Sequence, residues 1–422
     1  MRFTRLPSPG RPPGPLAGIL VVDCSTVLAG PYCTMLLADL GAEVIKVEPP
    51  EGDGTRAWGP PWVGAGRAGH DDPGVAAYYL AINRNKRSIR LDLRTAAGAR
   101  ILRELIGHAD VLVENFRVGG FDRLGFDDAT LEALNRRLVH LAISGYGTTG
   151  PDAERPGYDF VIQAVAGLMS ITGFPDVDGG GPAKVGVAIA DVVTGILGST
   201  AVLAALEGRG RGDSPAFDQG QRIDLSLFES SLAVLVNQAQ NAFTTGASPG
   251  RRGNAHPNIV PYETFASADG QLALAVGSER QWPRLCRALD LPGLAEDPRF
   301  ATNGDRVAHR DALRPLLAGR FATRPTADWL ERLEAAEIPC GPIQGVLEAL
   351  ESDQAQARQM TVNVEHPILG SVRQVGVPFK LAATPATIRT APPLLGEHSA
   401  EILAELGYDD AAIERLRADR VI

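Results

Sequence analysis

The runs Gly18-Ile19-Leu20-Val21-Val22-Asp23 and Ala42-Glu43-Val44-Ile45-Lys46-Val47 are separated by the length of one short helix. Each suits a buried parallel strand, and Pro31 fits the first turn of a helix that runs to about Asp39. This βαβ unit predicts an α/β fold with a doubly wound, Rossmann-like parallel sheet. The turn inside it, Ser25-Thr26-Val27-Leu28-Ala29-Gly30-Pro31, lacks the G-x-G-x-x-G spacing that seats a pyrophosphate, so no nicotinamide or flavin cofactor is expected.

Further strands are expected at 110–114, 138–143 and 222–227, and Thr95 caps a helix that reaches about Ile106. A Gly-, Pro- and Trp-rich loop covers Pro49 to about His70. Arg84, Lys86, Arg87, Arg90 and Arg94 follow within eleven residues, which suits either a multiply charged phosphate ligand or a solvated strand edge. Asn115-Phe116-Arg117 ends a strand and could hold a purine and its phosphates there. A glycine-rich loop, Ser144 to Pro151, then leads to Gly157-Tyr158-Asp159, where Asp159 either caps a helix or does chemistry.

From Val185 to Leu206 the one ionisable residue is Asp191, set among small and apolar side chains. A carboxylate in such surroundings is costly unless hydrogen-bonded or put to use. Asp191 therefore reads as the N-cap of a helix over roughly 192–206, as a nucleophile held ionised by a helix dipole, or as both. The small residues and the lone acid favour a packed core helix over a membrane span. Beyond it, Glu207 to Gly220 reads as an exposed linker, and a helix is expected over 228–243. Gly246 to Pro257 reads as a lid whose Arg252 and His256 bind an anion, or as a solvated hairpin loop. Short strands near 262–265 and 271–276 and helices over 279–326 form a smaller mixed domain. Ile338 to Ile343 reads as a tight turn, 362–365 and 371–374 as a hairpin, and Asp409 as the cap of a last helix.

With 422 residues, 44% hydrophobic, the chain can bury a large core, and a formal charge of −9 argues against nucleic-acid or anionic-membrane partners. Cys24, Cys33, Cys286 and Cys340 show no metal or disulfide spacing and read as reduced thiols of a cytoplasmic protein. The Pro- and Gly-rich stretch Met1 to Pro15 has no apolar signal core. No metal site is expected, because the seven histidines are scattered.

Several motifs together resemble the class III CoA-transferases, the group of formyl-CoA transferase, carnitine CoA-transferase and the α-methylacyl-CoA racemases. They are Val27-Leu28-Ala29-Gly30-Pro31-Tyr32, Leu37 to Glu48, Asn83 to Ile89, Glu114-Asn115-Phe116-Arg117, Gly157-Tyr158-Asp159 and Pro393-Leu394-Leu395-Gly396-Glu397-His398. The resemblance spans Gly18 to the C-terminus. It implies that Asp191 attacks a donor acyl-CoA to give an acyl-aspartyl anhydride and CoA thiolate. An incoming carboxylate then takes the acyl group, and the thiolate attacks the new anhydride.

By the same resemblance Val27 and Ala29 line the CoA path, Leu91 and Arg94 match the adenine and phosphate region, and Asn115, Phe116, Arg117 and Arg123 match the nucleotide-binding turn. Asp159 keeps a second carboxylate near the nucleophile. Pro49 and Leu28 replace an arginine and a glutamine of formyl-CoA transferase, and Tyr158 stands where the racemase branch has histidine, which disfavours proton abstraction. The stretches 55–64 and 253–262 look like the branch that moves CoA from succinyl-CoA to other dicarboxylates, with Arg252, His256 and Tyr158 as substrate candidates. No prosthetic group is implied, coenzyme A being a substrate. The alternatives are a racemase or epimerase on the same fold and a non-catalytic acyl-CoA-binding protein. The family implies an interlocked homodimer and a domain order of large domain 1–205, linker 206–224, small domain 225–325, linker 326–339 and large domain 340–422.

Overall fold

The computed structural model describes residues 14–64 and 74–422. The stretch before Gly14 and part of the loop expected to reach His70 lie outside the described residues. Six strands form one parallel sheet: β1 (Leu20–Cys24), β2 (Glu43–Glu48), β3 (Lys86–Arg90), β4 (Val111–Glu114), β5 (Val139–Ser144) and β6 (Gln221–Ser226). Their order is β3-β2-β1-β4-β5-β6, every neighbour parallel. Strand side chains alternate between faces, so Leu20, Val22 and Cys24 enter one core and Val21 the other. Both faces are covered, which is why β1 opens on the consecutive apolar residues Leu20, Val21 and Val22. On one face lie α1 (Ala29–Asp39) and a long helix; on the other lie α2 (Ala96–His108), capped by Thr95 as expected, and the C-terminal helices Ser399–Glu405 and Asp410–Ala418. Asp409 caps the last of these through Ala412 N–H at 2.7 Å.

The remaining elements near the sheet are α3 (Asp159–Val165), α4 (Ile189–Gly210) and α5 (Leu227–Ala233). By length and composition α4 could cross a membrane. Instead it packs against α1 and the sheet, burying Ala190, Thr194, Gly195, Gly198 and Val202.

The chain divides into two compact units, one of Met1–Ala166, Gly186–Val236 and Asp353–Ile422, the other of Gly167–Val185 and Asn237–Ser352. The second contains a three-stranded antiparallel sheet of Tyr262–Ala266, Gln271–Ala275 and Cys340–Pro342 over a core of Trp282, Phe300, Phe321 and Trp329.

Three boundaries differ from expectation. Of the segment 206–224, residues 206–210 are the last turn of α4 and 221–224 start β6, leaving 211–220 as the irregular connection between them. In that last turn Arg209 is buried, bonding Asp110 at 2.9 Å and the Arg137 carbonyl at 2.7 Å. Likewise 326–339 carries helix Thr326–Ala335, whose Trp329 and Leu333 fill the second unit's core. Residues 340–342, read as a turn for their Gly and Pro, form an edge strand of that unit, where proline is tolerated.

Candidate active site

Two glycines let α4 pack closely, Gly195 against the backbone of α1 and Gly198 against the sheet. A Cβ on Gly195 would sit 2.8 Å from the Ala29 carbonyl oxygen, and one on Gly198 would sit 3.0 Å from the Leu141 side chain of β5. The approach places Asp191, third residue of α4, over the first residue of α1. Ala29 opens α1, so its N–H has no partner in its own helix; it hydrogen-bonds the Asp191 carboxylate instead. Burial raises the Asp191 carboxyl, the neighbouring Asp159 charge raises it further, and the Ala29 N–H draws it back, leaving it at about 7. The N-cap role expected of Asp191 falls to Asp159, whose Oδ1 accepts the Ala190 N–H at 2.8 Å while Oδ2 accepts from Gln163 at 2.8 Å. Asp159 is the first residue of its own helix α3 and caps the neighbouring one.

Tyr78, not singled out by the sequence, faces the same pair. Burial, then Asp191, Asp159 and Asp53, push its phenol up to about 12. Trp58 meets the ring edge-on, centroids 5.3 Å apart. Tyr78 sits in a helical turn of four residues, Ala77–Leu80, with no local motif around it.

The turn delivering Ala29 is strained. Val27 has φ +70°, a left-handed conformation in which a β-branched residue costs about 1–3 kcal/mol. Three side chains bond the turn. Lys46 Nζ donates to the Ser25 carbonyl at 2.9 Å, Asn115 bonds Thr26 N–H and C=O at 2.9 and 2.8 Å, and Asp53 Oδ1 accepts from Val27 N–H at 3.4 Å. Lys46 and Asp53 form a fully buried ion pair at 2.9 Å.

In this strand order the direction of winding reverses between β1 and β4, where doubly wound sheets open a crevice at the carboxyl ends of the strands. A cavity of about 280 Å³ lies there, lined among others by Cys24, Thr26, Leu91, Arg94, Asn115 and Phe116. Four of the expected nucleotide residues, Leu91, Arg94, Asn115 and Phe116, are thus brought together, whereas Arg117 and Arg123 are exposed outside that lining. Glu114, buried, holds the turn by accepting from Phe116 N–H at 2.7 Å.

Three of the five cations after Tyr79 follow neither expected reading. Lys86 is buried on Asp23 at 3.0 Å, Arg84 on Asp39 at 2.7 Å, and Arg87 bonds Glu43, Glu401 and Glu405. Arg94, exposed, pairs with Asp92 at 2.8 Å. Among the described residues Arg90 alone of the five has no ion pair. Cys24 and Cys33 are buried with their thiols pushed up by desolvation, so neither is a ready thiolate.

Tyr158 is exposed at the N-terminus of α3. In the second unit, Arg251 bonds Asp176 and the Phe174 carbonyl, fastening the loop that carries Arg252 and His256. Burial and then Arg310 hold the His256 ring below its ordinary value, so it is neutral at pH 7, and its Nδ1 accepts from Asn258 N–H at 3.1 Å. Of the two expected cations only Arg252 carries charge.

The architecture is that of the CaiB/BaiF proteins. A crystal structure of a CaiB/BaiF family protein from Brucella suis superposes with a TM-score of 0.81 at 42% identity, covering 93% of this chain and 100% of that one. The sequence matches the family model of CoA-transferase family III over residues 16–399, and the chain belongs to that family: it is a CoA-transferase. It is 44% identical over 399 residues to a succinate–glutarate CoA-transferase of Agrobacterium fabrum, covering 94% of this chain and 97% of that protein. It is 37% identical over 410 residues to the human succinyl-CoA:glutarate CoA-transferase, covering 97% and 90%. CoA thioesters are the substrates of such enzymes.

Proposed function

We propose that this enzyme moves CoA from succinyl-CoA to a second dicarboxylate through an acyl anhydride on Asp191. The observation that carries the reading is the carboxylate itself, desolvated, bonded by the free N–H at the start of α1 and crowded by Asp159. A carboxyl near pH 7 is basic enough to attack a thioester and is still ionised in a good fraction of molecules. An Asp191 oxygen adds to the thioester carbonyl, the C–S bond breaks, and the sulfur leaves as CoA thiolate. The acceptor carboxylate takes the acyl group, and the thiolate attacks the acceptor carbonyl of the new anhydride, releasing the donor acid. Water must be kept out, since it would hydrolyse either anhydride. The cavity at the switch point suits the nucleotide end of CoA, with Leu91 and Phe116 against the base and Arg94 at a phosphate. Val27 and Ala29 lie on the path from there to Asp191.

The dicarboxylate preference follows the substrates named for the Agrobacterium and human relatives. Arg252 is the cation assigned to the distal carboxylate. We extend the reading to a homodimer, interlocked as the family resemblance implies. Phe160, Val161 and Val165 on α3, Ile196 on α4 and Leu232 on α5 are exposed apolar side chains that a second copy would cover.

Mass spectrometry after incubation with succinyl-CoA and hydroxylamine, which converts an acyl-aspartate anhydride into a stable adduct, tests the mechanism. The adduct is expected on Asp191 and absent from Asp191→Asn. No adduct in the wild-type chain with succinyl-CoA or a panel of other acyl-CoAs would overturn it.

A further inference from the structure

We infer that Asn115, Lys46 and Asp53 are positioning residues: they grip three successive residues of the β1–α1 turn, hold Val27 in its left-handed conformation, and so aim the Ala29 N–H at Asp191. The inference rests on the reading of Asp191 as nucleophile and adds what sets its reactivity.

The grips come from three separate places in the fold. Lys46 reaches from β2 to the Ser25 carbonyl, Asn115 closes two hydrogen bonds on Thr26 from the end of β4, and Asp53, ahead of the turn Gly54–Ala57, takes the Val27 N–H. Asp53 is itself fixed by Thr55 N–H at 3.0 Å, Thr55 Oγ1 at 2.8 Å and Lys46 at 2.9 Å. A valine left to itself avoids positive φ. The turn is therefore held in place by its surroundings, and the next N–H but one is the donor to Asp191. Both hydrogen-bonding ends of the Asn115 amide are engaged on Thr26. It borders the nucleotide cavity chiefly as a strut of the wall.

The groups that face Asp191 are the Asp159 carboxylate, the Tyr78 phenol and the Ala29 N–H. The N–H is the one that favours the ionised form, and the clamp acts through it. Loosening the turn must leave the carboxylate harder to ionise, moving the acid limb of the pH–rate profile upward.

The test is the rate of hydroxylamine-trapped adduct formation on Asp191, in single turnover with saturating succinyl-CoA, across pH 5–9. Asp53→Asn and Asn115→Ala are expected to slow trapping about tenfold at pH 6.5 and under threefold at pH 8.5, the limb moving up by about one unit. Asn115→Ala leaves the buried ion pair intact and serves where Asp53→Asn does not fold. Val27→Gly removes the strain, so Asn115→Ala made in that background should shift the limb by less than half as much. A uniform rate loss at all pH values, or an Asn115 effect undiminished by Val27→Gly, would overturn the inference while leaving the nucleophile in place. Failure of the wild-type chain to form any adduct would overturn the underlying reading as well.

Discussion

Asp159 Oδ1 accepts the Ala190 N–H at 2.8 Å, so one carboxylate fastens the first turn of α4 while its neighbour Asp191, one residue further on, is left for the Ala29 N–H. The two acids are coupled, since the charge that caps the helix also raises the carboxyl beside it.

Replacing Asp159 separates those effects. Asp159→Asn keeps an oxygen for Ala190 N–H and removes the charge, so Asp191 should ionise at lower pH. The acid limb of single-turnover acylation is expected to move down, with faster acylation than wild type at pH 6. Asp159→Ala removes the cap too, and thermal unfolding should show a further loss of about 1 kcal/mol.

Stability should carry the signature of a carboxyl that burial and a neighbouring charge make hard to ionise. Asp191 titrates near 7 when folded, against its ordinary 3.8. Between those values the folded chain holds more protons than the unfolded one, so stability falls as pH rises through this window and stays reduced above it. Asp191→Asn escapes the loss. Its melting temperature should match wild type near pH 4 and exceed it at pH 8 by the equivalent of a few kcal/mol, at about 1.4 kcal/mol per pKa unit.

The backbone contact at Gly195 predicts a packing defect with a catalytic consequence. In Gly195→Ala the new methyl meets the Ala29 carbonyl and Tyr32, forcing α4 off α1. Denaturant unfolding should show a loss of about 1–3 kcal/mol, and acylation should fall with it. Gly210→Ala, with open space at its Cβ, should be neutral or slightly stabilising.

Tyr78 stays protonated throughout the working range, its phenol lying at about 12. Tyr78→Phe should therefore lower the acylation rate about tenfold at every pH without moving either limb, which single-turnover rates at pH 6 and 8.5 would check.

Acceptor choice should depend on Arg252 and not on the charge of His256, whose ring is neutral at pH 7. Arg252→Gln is expected to raise KM for a dicarboxylate such as glutarate about tenfold and leave a monocarboxylate of similar length unchanged. His256→Gln should alter the ratio of the two little. Steady-state assays with both acceptors decide it.

Local rules carried part of this structure. Five of the six strands, α1, and the Thr95 and Asp409 caps follow from runs of apolar residues and neighbouring polar ones and were legible; β3, rich in Lys and Arg, reads in the sequence as a cation cluster. Asp159 capping a helix thirty-one residues away was not, because capping rules look only a few positions along the chain. Lys46, Lys86 and Asp23 sit in the sequence like surface charges and are buried because Lys86 and Asp23 pair across two strands and Asp53 folds back onto Lys46. The motif resemblance located Asp191, but nothing near Tyr78 in sequence announces that it will face the two acids.

The C-terminal segment stitches the free edge of the sheet. Asn85 N–H bonds the Thr390 carbonyl at 3.1 Å, Ser88 N–H bonds His398 at 3.3 Å, and Arg90 N–H bonds Ser399 at 3.2 Å. On the ribosome, all six strands emerge before any of these partners exists, with residues 237–352 of the second unit still to be made. The nascent sheet must therefore wait with one row of amide groups uncovered, an invitation to pair with a neighbouring chain. Chaperone demand during synthesis should be governed by the closing residues after Ala386, far along the chain from the strand they protect.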